Sequence, residues 1–65
     1  MTRLEAYRYI LEGGIIVHPY HGVRPVYLAK GRHIREVHTG FGINHAFMYD
    51  PHLADGWEAY CYDQS

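Results

Sequence analysis

Six histidines in 65 residues are the side chains of this chain best suited to chemistry, because imidazole ligates metals and moves protons near neutral pH. His18 and His21 stand at a ligand-like spacing. A zinc site needs four convergent ligands, however; the single cysteine, Cys61, is remote from that pair, and no second pair of zinc-finger form follows. No metal is expected. The expected consequence of the histidines is pH sensitivity, since full protonation would carry the chain from net −1 to about +5. Nucleophiles are equally sparse. Ser65 is the last residue and Thr2 serves better as a helix cap. Cys61 falls in an alternating strand that points it inward, where a cysteine behaves as a small hydrophobe. Asp55 and Glu58 are a carboxylate pair, but so short a chain has little volume with which to exclude water around them. No catalytic residue is expected and the chain reads as a non-enzyme. It has neither G-x-x-x-x-G-K-[ST] nor G-x-G-x-x-G, and Gly40-Phe41-Gly42 reads as a loop, so no cofactor is expected.

Charge is more informative. All six Lys and Arg residues lie at or before Arg35, where they face only Glu5 and Glu12, a local net of +4. From Glu36 onward, Glu36, Asp50, Asp55, Glu58 and Asp63 face no cation, a local net of −5. Such asymmetry points to a partner rather than to a reaction. The acidic half also holds Phe41, Phe47, Tyr49, Trp57, Tyr60 and Tyr62, too many aromatics for a disordered acidic tail, so it reads as folded acidic surface. The cations are scattered over several elements and the pI is about 6.6, which argues against direct nucleic-acid binding. Seven tyrosines supply amphipathic contact area, and some of them must also fill the core.

The elements that must position these residues can be read in turn. Thr2 and Glu5 form a capping-box pattern, and Leu4, Tyr7, Ile10 and Leu11 follow at helical spacing up to Gly13-Gly14. A helix over residues 3–12, packed through those four side chains, is expected. Short β-branched and aromatic runs follow: Ile15–Val17, Val26–Leu28, Ile34–Val37 and His45–Tyr49, with a hairpin tip at Lys30-Gly31. Asp50 is a candidate cap for one helical turn over His52–Asp55. A last strand, Trp57–Tyr62, places Trp57, Ala59 and Cys61 on the core face and Glu58, Tyr60 and Tyr62 on the other. The expected fold is α+β, one N-terminal helix packed on a small antiparallel β-sheet in a single domain, residues 1–65. A chain of this length buries only roughly 60% of its unfolded surface, so its stability is modest. No apolar run reaches the roughly 18–20 residues that span a bilayer. The absence of a signal-peptide pattern and of a possible internal disulfide makes a reducing cytoplasm the expected compartment.

Two resemblances follow from these residues. Glu5, Ala6, Ile10 and Gly13 match the E-A-x-x-x-[LM]-x-x-G opening of the second Thoeris anti-defence family of phage proteins, and Leu53, Trp57 and Glu58 match its L-x-x-x-D-W-E ending, with Gly56 where the Asp would stand. That resemblance implies phage counter-defence in the cytoplasm of a bacterial host, in some members by oligomers that sequester cyclic nucleotide signals. In size and layout the chain also resembles small anti-CRISPR proteins directed at type I-C systems. This second likeness implies a monomer whose acidic surface stands in for DNA on a Cas protein of a type I effector complex. The expected function is therefore an anti-CRISPR inhibitor with a DNA-mimicking surface of Glu36, Asp50, Asp55, Glu58, Tyr60, Tyr62 and Asp63 that blocks target DNA binding. The alternative is a sponge for a cyclic nucleotide immune signal, which a pocket with basic residues such as Arg24 or Arg32 would favour.

Overall fold

The computed structural model describes residues 1–61. Helix α1 (Arg3–Leu11) starts as its sequence dictates: the Glu5 amide donates to Thr2 Oγ1 at 3.2 Å and the Thr2 amide donates to Glu5 Oε1 at 2.8 Å. It ends at the Gly13-Gly14 pair. Gly13 takes φ +95°, and a Cβ on Gly14 would sit 2.3 Å from the Tyr9 ring. The face that α1 buries differs from the expected one. Ala6 and Ile10 are enclosed and Tyr7 packs against the core, whereas Leu4 is 61% exposed and Leu11 50% exposed. Two residues turn the helix this way. Ala6 is small enough for close approach to the sheet, and Arg3 is drawn in by the carbonyls of Phe47 and Asp50, to which its guanidinium donates. Ile10→Ala should therefore cost about 2–5 kcal/mol, and Leu11→Ala within about 0.5 kcal/mol of nothing, as paired thermal melts will read.

Four strands follow: β1 (Ile16–Val17), β2 (Val26–Ala29), β3 (His33–Glu36) and β4 (Glu58–Ala59), all antiparallel in the order β3-β2-β1-β4. The β2–β3 hairpin pairs Val26 with Glu36 and Leu28 with Ile34, and turns through Lys30-Gly31-Arg32 as expected. The expected strand over His45–Tyr49 is instead a helix, α2 (Asn44–Tyr49). Ile43 and Phe47 are buried and Ala46 is half-buried, a three- and four-residue spacing that only a helix brings to one face. Asn44 anchors its start, accepting from the Ile34 amide at 2.6 Å. Asp50 then caps a 3₁₀ turn, Pro51–Leu53, through the His52 amide at 2.9 Å.

The expected long last strand is only two residues within the described chain, and its inward alternation stops at Trp57. Ala59 and Cys61 are exposed. Trp57 is held by its own turn: the indole N–H donates to the Leu53 carbonyl at 2.8 Å, and its backbone exchanges hydrogen bonds with Met1. Ala6, Ile10, Ile16, Val26, Ile34, Ile43, Phe47, Leu53 and Trp57 form one core between the two helices and the sheet. No described helix is long and apolar enough to cross a membrane.

Candidate functional site

The carboxylates expected to form one acidic surface are placed differently from one another. Glu36 is 3% exposed. Its carboxylate accepts from Thr39 Oγ1 at 2.5 Å, lies 2.7 Å from His21 Nε2, and has Arg24 at 3.6 Å. These partners, the Thr39 hydroxyl foremost, hold its carboxyl below the ordinary 4.5 against the opposing effect of burial. Glu36 is thus an internal tie between β3 and the 3₁₀ turn Pro19–His21, and is enclosed where the surface reading needed it exposed. Asp50 is half-buried and engaged by His52, whose amide lowers its pKa. Asp55 and Glu58 are exposed, and Asp55 lies close enough to Glu5 to act on it by charge repulsion. Tyr60 is half-buried, its amide donating to Ile15 at 2.7 Å. Tyr62 and Asp63 lie outside the described residues. The structure therefore brings Asp55 and Glu58 to the surface and withdraws Glu36.

The histidine pair also separates. His18 is buried against Trp57, with Nδ1 accepting from the Tyr20 amide at 3.0 Å and Nε2 2.7 Å from the Asp55 carbonyl. That geometry fixes the Nε2–H tautomer, because the carbonyl can only accept. His21 faces Glu36 instead. Among the described residues no three His, Cys, Asp or Glu side chains converge on a metal position.

A different region holds two of the six Lys and Arg residues, Arg3 and Arg32. Between α1, α2 and the start of β3 lies a pocket of about 530 Å³ lined by Arg3, Leu4, Tyr7, Arg32, Ile34, Asn44, Phe47 and Met48. Its walls are apolar and aromatic, and no carboxylate lines it. No protein-family model matches this chain, and no curated protein or solved structure matches it either. The site must therefore be read from its own chemistry. Arg3 donates through Nε and Nη2 to the carbonyls of Phe47 and Asp50, whereas the Arg32 side chain makes no hydrogen bond or ion pair among the described residues. Sequence reasoning singled out Arg32 but missed Arg3, Leu4, Tyr7, Asn44, Phe47 and Met48, because reading 45–49 as a strand removed the helix that makes one wall. The spacing of Ile43, Ala46 and Phe47 was the signal that could have found it.

A second, smaller pocket of about 320 Å³ is lined by Arg24, Pro25, Glu36, His38, Thr39 and Phe41. Its carboxylate is already engaged from within.

Proposed function

We propose that this chain is a phage counter-defence protein that acts by binding, without catalysis, and that it sequesters an anionic small molecule of the cyclic-nucleotide class in the pocket between α1, α2 and β3. The pocket is the observation that carries the reading. Its volume falls in the range of roughly 300–1,000 Å³ typical of small-molecule sites, and such sites join apolar walls to a few polar groups as this one does. The resemblance to the second Thoeris anti-defence family supports the same conclusion. A sponge needs no reaction: a protein in excess over a scarce signal lowers the free signal by mass action. Titration calorimetry with 3′,5′-cyclic AMP and a set of cyclic dinucleotides tests it. At least one should bind with a dissociation constant of about 1 µM or tighter, about −8 kcal/mol; failure of all of them removes the sponge reading.

The anti-CRISPR reading retains one favourable observation, the exposure of Asp55 and Glu58. In that reading these carboxylates pair with the Lys and Arg of a Cas protein in a type I effector complex and displace DNA. Asp55→Lys with Glu58→Lys should then abolish inhibition of DNA binding by the effector while leaving the melting temperature within a few degrees of wild type. Inhibition by the folded double variant equal to wild type would exclude it.

A further inference from the structure

We infer that Arg32 is the anion-binding residue of the pocket, held at its rim in a backbone conformation that arginine disfavours, so that the ligand must carry an anionic group beside an apolar or aromatic body. This rests on the pocket reading above and goes further by naming the contact. Arg32 has φ +61°, directly after Gly31 at φ +82°. A left-handed backbone disfavours any residue with a Cβ, and glycine or asparagine would occupy the hairpin tip more readily. Nothing in the fold offsets that preference, since the Arg32 guanidinium has no partner among the described residues. Arg32 is exposed at the pocket's edge, and a strained, exposed residue whose charge pairs with nothing in the fold is a candidate for binding. Val23, the other non-glycine with positive φ, lines neither pocket.

The donor pattern selects for charge. Asn44 already accepts through Oδ1 from Ile34, so its amide N–H₂ is the part of the side chain left to meet a ligand. Arg32 offers five donors in a planar fork that matches phosphate or carboxylate, while the Arg3 charge lies nearby with two of its donors held by the Phe47 and Asp50 carbonyls. Cationic and donor groups therefore face the ligand with no carboxylate opposing them. Leu4 at 61% and Met48 at 50% exposure are left for an apolar body to cover, over Tyr7 and Phe47.

The test pairs an anion with its uncharged counterpart. 3′,5′-Cyclic AMP, a cyclic dinucleotide and adenosine are titrated into wild type, Arg32→Gly, Arg32→Lys and Leu4→Asp. At least one anionic probe should bind wild type, and adenosine at least tenfold more weakly. Arg32→Gly should weaken the anion at least tenfold, leave adenosine unchanged, and melt at or above the wild-type temperature. Arg32→Lys should fall between. If Arg32→Gly binds the anion as wild type does while Leu4→Asp loses it, the pocket reading stands and the assignment of Arg32 is wrong. If no anionic probe binds wild type, both are wrong. A lower melting temperature in Arg32→Gly would show that the arginine serves the fold, and would overturn the inference even if binding fell.

Discussion

Trp57→Ala should leave the chain without a cooperative unfolding transition at 25 °C. Trp57 is 1% exposed and touches α2, the 3₁₀ turn before it, His18 and the N-terminus. Its ring lies 5.2 Å from that of Phe47 on α2 and meets the His18 imidazole edge-on at 5.0 Å. Its indole N–H satisfies the Leu53 carbonyl, and its backbone receives and returns hydrogen bonds with Met1. Truncating a buried Trp costs about 3–5 kcal/mol, which approaches the whole stability of a domain with roughly 0.05–0.15 kcal/mol per residue. Trp57→Phe separates packing from hydrogen bonding. It keeps most of the ring volume but strands the Leu53 carbonyl, at about 1–3 kcal/mol, so it should still fold with a midpoint lower by roughly 4–20 °C. Circular dichroism melts of both variants decide the matter: a Trp57→Ala transition within a few degrees of wild type would mean that the core does not close on this residue.

Local signals with one physical reading were legible in the sequence. Thr2 and Glu5 announce a helix start, Gly13-Gly14 its end, Lys30-Gly31 a hairpin, and Asp50 a capped turn; each is present, the turn running over Pro51–Leu53 where His52–Asp55 is expected. Features that depend on which face meets the core were harder. The stripe on α1 was read from its largest apolar residues, whereas packing favoured the small Ala6 and the hydrogen-bonding Arg3. Aromatic content suggested a strand at 45–49, whereas burial follows the helical spacing of Ile43, Ala46 and Phe47. Glu36 is instructive because its burial was present in the pattern: in β3 it lies two residues from Ile34, on the same side, so a core Ile34 draws Glu36 inward. Charge counting passed over that alternation.

The candidate site was less legible than the frame. Its lining comes from α1, the hairpin tip, β3 and α2, so no contiguous motif encodes it. Most of the residues that match the Thoeris anti-defence pattern are frame residues instead: Glu5 closes the capping box, Ala6, Ile10, Leu53 and Trp57 are buried, and Gly13 ends α1, while Glu58 is exposed. Gly56, where that pattern has Asp, adopts φ +99°, and a Cβ there would approach His18 Nε2 to 3.0 Å. Backbone geometry and the buried imidazole together account for glycine at this position.

Glu36 should make the fold sensitive to acid in a way that one substitution can isolate. Its pKa is lowered in the folded chain from an ordinary 4.5, first by the Thr39 hydroxyl and then by His21 and Arg24. A carboxyl with a depressed folded pKa contributes stability that is complete above its unfolded pKa and is lost as pH falls through the folded one. The contribution of Glu36 to the melting temperature should therefore change little between about pH 7 and pH 5.5 and be lost as pH falls below about 4.5. Protonation puts an O–H where Thr39 and His21 already donate, so the loop from Val37 to Phe41, tied through the Phe41 carbonyl to the Glu36 amide, loosens with the pair. Glu5 and Asp50 are also lowered and add to the same trend, so the comparison must be made with Glu36 alone altered. Glu36→Gln removes the charge but keeps the shape. It should be less stable than wild type by about 1–3 kcal/mol at pH 7 and show a shallower acid slope, so that the two melting curves draw together as pH falls below about 4.5. Parallel curves across that range would mean that the buried carboxylate does not govern the acid limb.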